Sequence, residues 1–192
     1  MRTTETQKEL LNTYKEALIN WNKTHNLIAK SQTSLLNDHI EDSLTIVEHV
    51  TKNVIDLGSG GGFPGIPVAL VSKNKSIFLV ESNTKKAAFL LHAVNVLGLK
   101  NIKVFNERVE KINPTAFPRP IDIIARAFGT PKKTVEASRK ILDTPGAKLK
   151  IMTTGAGVEG EVLPGYEVTD KEKLLTKPHY KERFLVTIEK TN

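Results

Sequence analysis

The residues with the most chemical content run from position 56 to 65: Asp56-Leu57-Gly58-Ser59-Gly60-Gly61-Gly62-Phe63-Pro64-Gly65. Glycines let a main chain turn tightly and approach a bound molecule closely. A second acid, Glu81, follows 21 residues after Gly60, where a carboxylate can accept two hydrogen bonds from a ribose diol. The chain has no cysteine, which removes thiolate ligands, disulfides and cysteine nucleophiles. His25, His49, His92 and His179 lack metal-ligand spacing, so no metal is expected. His39, Asp42 and Ser43 share one helical face and mimic a hydrolase triad. One helix turn does not give triad geometry, and no nucleophile elbow is present. His39 is assigned either helix-end hydrogen bonding or a part in the active site.

Two cofactors compete for the loop. Gly60 to Gly65 satisfies the G-x-G-x-x-G dinucleotide fingerprint, with Glu81 as the ribose acid. Read from Asp56, the loop is D-x-G-x-G, the pattern that binds S-adenosylmethionine. Charge discriminates between them. A dinucleotide places a pyrophosphate at the helix start, where Asp56 would repel it. S-adenosylmethionine carries a sulfonium and an ammonium, for which a carboxylate is favourable. Asp56, Gly58, Gly60 and Glu81 are therefore read as binding the methyl donor.

These residues must be placed by strands and helices. Leu10, Leu11, Tyr14, Leu18 and Trp21 form a helical stripe over about residues 5–22. Leu36, Ile40, Leu44 and Val47 form another over about 33–50, with Thr33 or Ser34 as cap. From residue 53 the pattern alternates. Strands are read at 54–57, 76–80, 102–105, 121–125 and 148–152. Helices are read at 64–71, 84–97 and 130–142. This is a doubly wound α/β sheet, mostly parallel. Two further strands, 166–174 and 184–189, are joined without a helix and make a seven-stranded sheet with an antiparallel edge. Residues 1–50 read as a helical extension of one compact unit whose core is 51–192.

Charge is uneven. Residues 1–50 hold 5 Lys/Arg against 7 Asp/Glu, residues 51–150 hold 17 against 7, and residues 151–192 hold 6 against 7. The middle segment therefore carries all the excess positive charge, which suits a polyanion such as RNA. Lys132, Lys133 and Arg139 are candidate phosphate contacts. No run of about 18 apolar residues exists, so no membrane span is expected. The start lacks an apolar signal segment, and a cytoplasmic location is expected.

At this point the chain resembles the glucose-inhibited division protein B family, the small-subunit ribosomal RNA guanine-N7 methyltransferases. The likeness runs from Tyr14 to Lys190. It is carried by Trp21-Asn22, Asn26-Leu27, His39-Ile40-Glu41-Asp42-Ser43-Leu44 and the Phe63-Pro64-Gly65-Ile66-Pro67 loop. Arg108-Val109-Glu110, Arg126-Ala127-Phe128 and Arg183-Phe184-Leu185-Val186 complete it. The resemblance implies a Rossmann-like class I methyltransferase fold and S-adenosylmethionine as cofactor. It implies cofactor contacts at Gly58, Phe63, Val109, Glu110 and Arg126, where it favours Arg126 on the donor's carboxylate over guanine O6; Arg126 and His39 are taken as the catalytic residues. The implied substrate is guanine 527 of 16S rRNA, free or in the small ribosomal subunit. Arg108 and Arg183 join the candidate RNA contacts, and the expected enzyme is a monomer. Two positions depart from the family: Thr153 stands where a lysine is usual, and Asp38 where a basic residue is usual.

The chemistry is consistent with that target. Guanine N7 has a free lone pair and needs no deprotonation, only alignment with methyl and sulfur. The lack of cysteine argues against cytosine C5 as acceptor. Ala125-Arg126-Ala127-Phe128 stands where an amine-methylating motif would follow the fourth strand. Two rivals stay open: an NAD-dependent oxidoreductase, through Gly60–Gly65 and Glu81, and a non-catalytic RNA-binding module, through the lysine missing at Thr153.

Overall fold

A computed structural model of the chain describes residues 3–155, 158, 162–174 and 182–191. The first helix, α1 (Glu5–His25), starts on a capping box. The Thr4 hydroxyl accepts from the Gln7 amide, and the Gln7 side chain returns to Thr4. Its buried stripe is Leu11, Tyr14, Leu18 and Asn22, with Leu10 and Trp21 on the margins. The Trp21 ring lies 5.9 Å from Phe89 and 4.8 Å from His92.

The single helix expected over 33–50 is instead three pieces. They are α2 (Lys30–Thr33), α3 (Leu36–Leu44) and a 3-10 turn at Val47–His49. Neither Thr33 nor Ser34 caps α3; Leu35 occupies that place without a side-chain hydrogen bond. The reason is local: the Ser34 hydroxyl donates to the Ser31 carbonyl and so closes the preceding turn.

The strands are β1 (Asn53–Leu57), β2 (Ser76–Val80), β3 (Ile102–Phe105), β4 (Ile121–Arg126), β5 (Ala147–Thr153), β6 (Tyr166–Leu174) and β7 (Arg183–Lys190). They make one seven-stranded sheet in the order β3-β2-β1-β4-β5-β7-β6. The first five are parallel. β7 runs antiparallel to β5 and to β6. The expected antiparallel pair is thus at the edge, with β6 outermost. Seven residues of β6 between its buried ends are exposed, and five of them are charged, which blunts the edge against pairing with other chains.

The remaining helices are α4 (Gly65–Val71), α5 (Thr84–Val96) and α6 (Pro131–Leu142). Asn83 caps α5 by accepting from the Lys85 and Lys86 amides, and Thr130 caps α6 through the Lys133 amide. One apolar layer holds Leu11, Tyr14 and Leu18 of α1 with Leu36, Ile66, Leu70, Phe89 and Leu90. The layer on the other sheet face holds Val109, Ile112, Phe117, Val135, Ile141 and Leu142. The N-terminal helices therefore share a core with α4 and α5. The chain reverses its winding between β1 and β4, so the loops after these two strands diverge and open a crevice at their carboxyl ends.

Candidate active site

The glycine loop is held from below by two acids. Asp56, in the centre of the sheet, is fully buried. Its Oδ2 accepts from the Gly65 amide at 2.9 Å, while Oδ1 has no partner. Burial pushes its carboxyl up to about 7, against the opposing pull of the Gly65 amide and Arg126. Glu81 accepts from the Gly60 amide at 3.0 Å and from the Asn83 amide at 2.7 Å. From above, the buried Tyr14 hydroxyl donates to the Gly61 carbonyl. The phenol's pKa is raised by burial.

This arrangement decides against a dinucleotide. At the start of α4 the Gly65 amide goes to Asp56, the Ile66 amide to Gly62 and the Val68 amide to Pro64. Pro64 and Pro67 have no amide hydrogen. A pyrophosphate needs free amides at this helix start, and each of these is already used.

A cleft of about 490 Å³ opens at the carboxyl ends of β4 and β5. Its walls include His39, Asp42, Phe63, Arg126, Phe128 and Arg183. Arg126 Nη1 donates to Asp42 Oδ2 at 3.1 Å, and its guanidinium lies 5.0 Å from the centre of the Phe63 ring. Arg183 Nε donates to Asp42 Oδ1 at 2.9 Å. One carboxylate thus serves two guanidiniums, and the group keeps a net positive charge. His39 Nε2 lies 2.6 Å from Gln32 Oε1. The amide oxygen can only accept, which places a proton on Nε2. Burial, with the Arg126 charge beside it, lowers the His39 pKa and favours the neutral ring. Thr153 and Thr154 also line the cleft, so the departure at Thr153 falls inside it.

A smaller cavity of about 120 Å³ lies alongside, walled by Gly58, Val80, Ser82, Arg108, Val109, Glu110 and Phe128 among others. Phe128 belongs to both hollows. It follows Ala127, a non-glycine residue at φ 54, a conformation with a steric cost for L residues. That turn lays the ring over Gly58, where an added Cβ would sit 2.7 Å from Phe128 Cδ2.

The structure therefore brings Phe63, Arg126, His39 and Arg183 to one cleft, and Gly58, Arg108, Val109 and Glu110 to the adjoining cavity. Gly60 and Glu81 sit in the loop between them and its support. Asp56 differs from the direct ligand contact expected of it: its carboxylate is buried under the loop and anchors Gly65. Lys132 and Lys133 are exposed in the first turn of α6, next to the cleft-lining Pro131 and Thr134. Arg139 lies further along the helix, 3.8 Å from Asp143. His179 lies outside the described residues.

Asp42 is the cleft residue that the sequence reading set aside. A signal existed: an acid one helical turn after His39, in a chain with an arginine ending a strand. Nothing local links it to residue 126 or 183.

The profile of the family described as rRNA small subunit methyltransferase G (GidB) matches residues 7–189. A relative named ribosomal RNA small subunit methyltransferase G from Nitrosomonas europaea is 45% identical over 131 residues, 67% of this chain and 60% of that protein. One of the same name from Neisseria meningitidis serogroup A is 36% identical over 97% of this chain and 90% of its own length. Among solved structures, a SAM-dependent methyltransferase from Aquifex aeolicus matches with a TM-score of 0.57 at 18% identity, over 89% of this chain and 97% of that one. An rRNA methylase from Streptococcus thermophilus matches with a TM-score of 0.51 at 22% identity, over 78% and 94%. The fold is that of Rossmann-like methyltransferases.

Proposed function

The chain belongs to the rRNA small subunit methyltransferase G family, and we propose that it transfers a methyl group from S-adenosylmethionine to guanine N7 in 16S rRNA. The observation that carries this reading is the pair of hollows sharing Phe128 as a wall. The smaller suits an adenine ring: Val80 and Val109 are apolar and Gly58 gives main-chain access, while Glu81, just past the end of β2 and outside that hollow, is the acid for the ribose. When bound, the cofactor supplies a methyl group on a cationic sulfur, ready for transfer without a proton. The larger hollow suits a base and its phosphate.

The side chains fit an acceptor that needs no deprotonation. His39 Nε2 is engaged with Gln32, and the lone pair at guanine N7 asks for no base. Arg126 offers donors to guanine O6, a natural arginine partner. Phe128, 38% exposed, offers a face on which a base can stack. Main-chain amides and carboxylates hold the loop rigid, and alignment supplies the rate. Lys132, Lys133 and Arg183 draw the RNA in through its phosphates. The substrate is rRNA, free or within the small subunit, and the enzyme works as a monomer in the cytoplasm.

Incubation with S-adenosylmethionine and unmodified small-subunit rRNA is expected to give 7-methylguanosine at a single position. Alkylated N7 labilises the ring, so borohydride and aniline should cut the strand there. A methyl found by mass spectrometry on carbon or on an exocyclic amine would refute the N7 assignment. RNA binding without any methyl transfer would select the non-catalytic module.

Glu81→Ala is expected to weaken S-adenosylmethionine binding by about 1–3 kcal/mol, the scale of a charge-assisted hydrogen bond lost. The same change frees the Gly60 and Asn83 amides, so part of the loss comes through the loop. Calorimetry on the folded variant reads it. An unchanged affinity would remove Glu81 from the site.

A further inference from the structure

Asp42 joins three elements that are distant in sequence. It lies on α3 with its side chain 7% exposed. It takes Arg126 from the end of β4 at 3.1 Å and Arg183 from the start of β7 at 2.9 Å. Both arginines line the large cleft. Each guanidinium has five N–H donors, so the bridge consumes few of them. Two cations against one anion leave a positive charge facing the cleft. Without the shared carboxylate the two guanidiniums would repel each other and lose their common geometry. A planar fork recognises phosphate best when its orientation is fixed beforehand.

We propose that Asp42 is a positioning residue for RNA: by holding Arg183 beside Arg126 it presets Arg183 as a seat for a backbone phosphate of the substrate, while the donors of Arg126 stay turned to the base. This rests on the reading of that substrate as rRNA. Asp42 acts only through the arginines and touches no reacting atom. A purely structural tie between α3 and the sheet would predict lost stability without a change in how RNA is engaged.

The test is a cycle of Asp42→Asn, Arg183→Gln and the double variant in the full chain, with KM for rRNA, kcat and thermal midpoint read for each. Asp42→Asn and Arg183→Gln should each raise KM by about tenfold, with a smaller change in kcat, as expected for a lost phosphate contact. The double variant should be little worse than either single one, because both break the same seat. Asp42→Glu, which keeps the charge, should fall between wild type and Asp42→Asn. If Asp42→Asn does not fold, Asp42→Glu replaces it in the cycle. Multiplying effects, or a lower thermal midpoint with KM within about twofold of wild type, would overturn the proposal. If the wild type methylates no rRNA, it is the functional reading that fails. The seat is then judged by filter binding of rRNA, where Asp42→Asn must weaken binding as much as Arg183→Gln.

Discussion

Replacing Arg126 by alanine is expected to lower methyl transfer to rRNA at least about 100-fold, the cost of misplacing reacting groups by around an ångström. Three contacts disappear together: the ion pair to Asp42, the bond to the His39 carbonyl and the cation over Phe63. Phe63 and His39 then lose the group that fixes their side of the cleft. The fold should survive, because Arg183 still neutralises Asp42. Its stability loss should be about 1–3 kcal/mol, that of a buried acceptor left half satisfied. Single-turnover rates at saturating donor, beside a urea titration, separate the two effects. Arg126→Lys should recover little, since an ammonium cannot reproduce the planar fork. A rate within about threefold of wild type in Arg126→Ala would refute its placement in the machinery.

The second large effect is on stability. Gly65→Ala would place a Cβ 2.3 Å from Leu79 Cδ2 and 2.7 Å from Asp56 Oδ2. Both neighbours are fully buried, so neither can swing into solvent. Overpacking of this kind costs about 1–3 kcal/mol. Disturbing the Gly65 bond to a buried carboxylate adds about 1–3 kcal/mol. A combined loss of about 2–6 kcal/mol is expected, read as a lower urea midpoint at unchanged slope. Gly98→Ala is the control: nothing lies within 4 Å of its added Cβ, and the strain comes from φ +62 alone. A Gly65→Ala midpoint equal to that of the control would show that the loop yields and that Asp56 is not its anchor.

The strands and the glycine loop were legible in the sequence because their signals are local. Val54-Ile55-Asp56-Leu57 followed by glycines states a strand, a turn and a close approach within ten residues. Gly98 after an apolar stripe likewise marks the end of α5. The division of residues 30–49 was not legible. An apolar stripe shows which residues face inward but not where a hydroxyl such as that of Ser34 will close a turn. Asp56 was read as a ligand contact because its charge suits a cation. Depth in the sheet, which turns the same carboxylate into an anchor for Gly65, depends on β2 and β4 lying on either side. Asp42 was read as part of a helix face because its partners are 84 and 141 residues away. Ion pairs of that range leave no periodicity to read.

The strand order near the edge bears on how the protein is made. β7 is hydrogen-bonded between β5 and β6, although it follows both in sequence. While the chain leaves the ribosome, β6 therefore has no place to dock until β7 has been synthesised, and β5 waits as a bare edge. Arg183, in the first position of β7, reaches Asp42 only at that moment. The cleft consequently cannot be completed on a nascent chain that stops short of β7. A nonsense codon or a protease cut before residue 183 would strip two strands rather than one. It would also expose Leu149 and Ile151, both buried, beside an unpaired strand that invites aggregation.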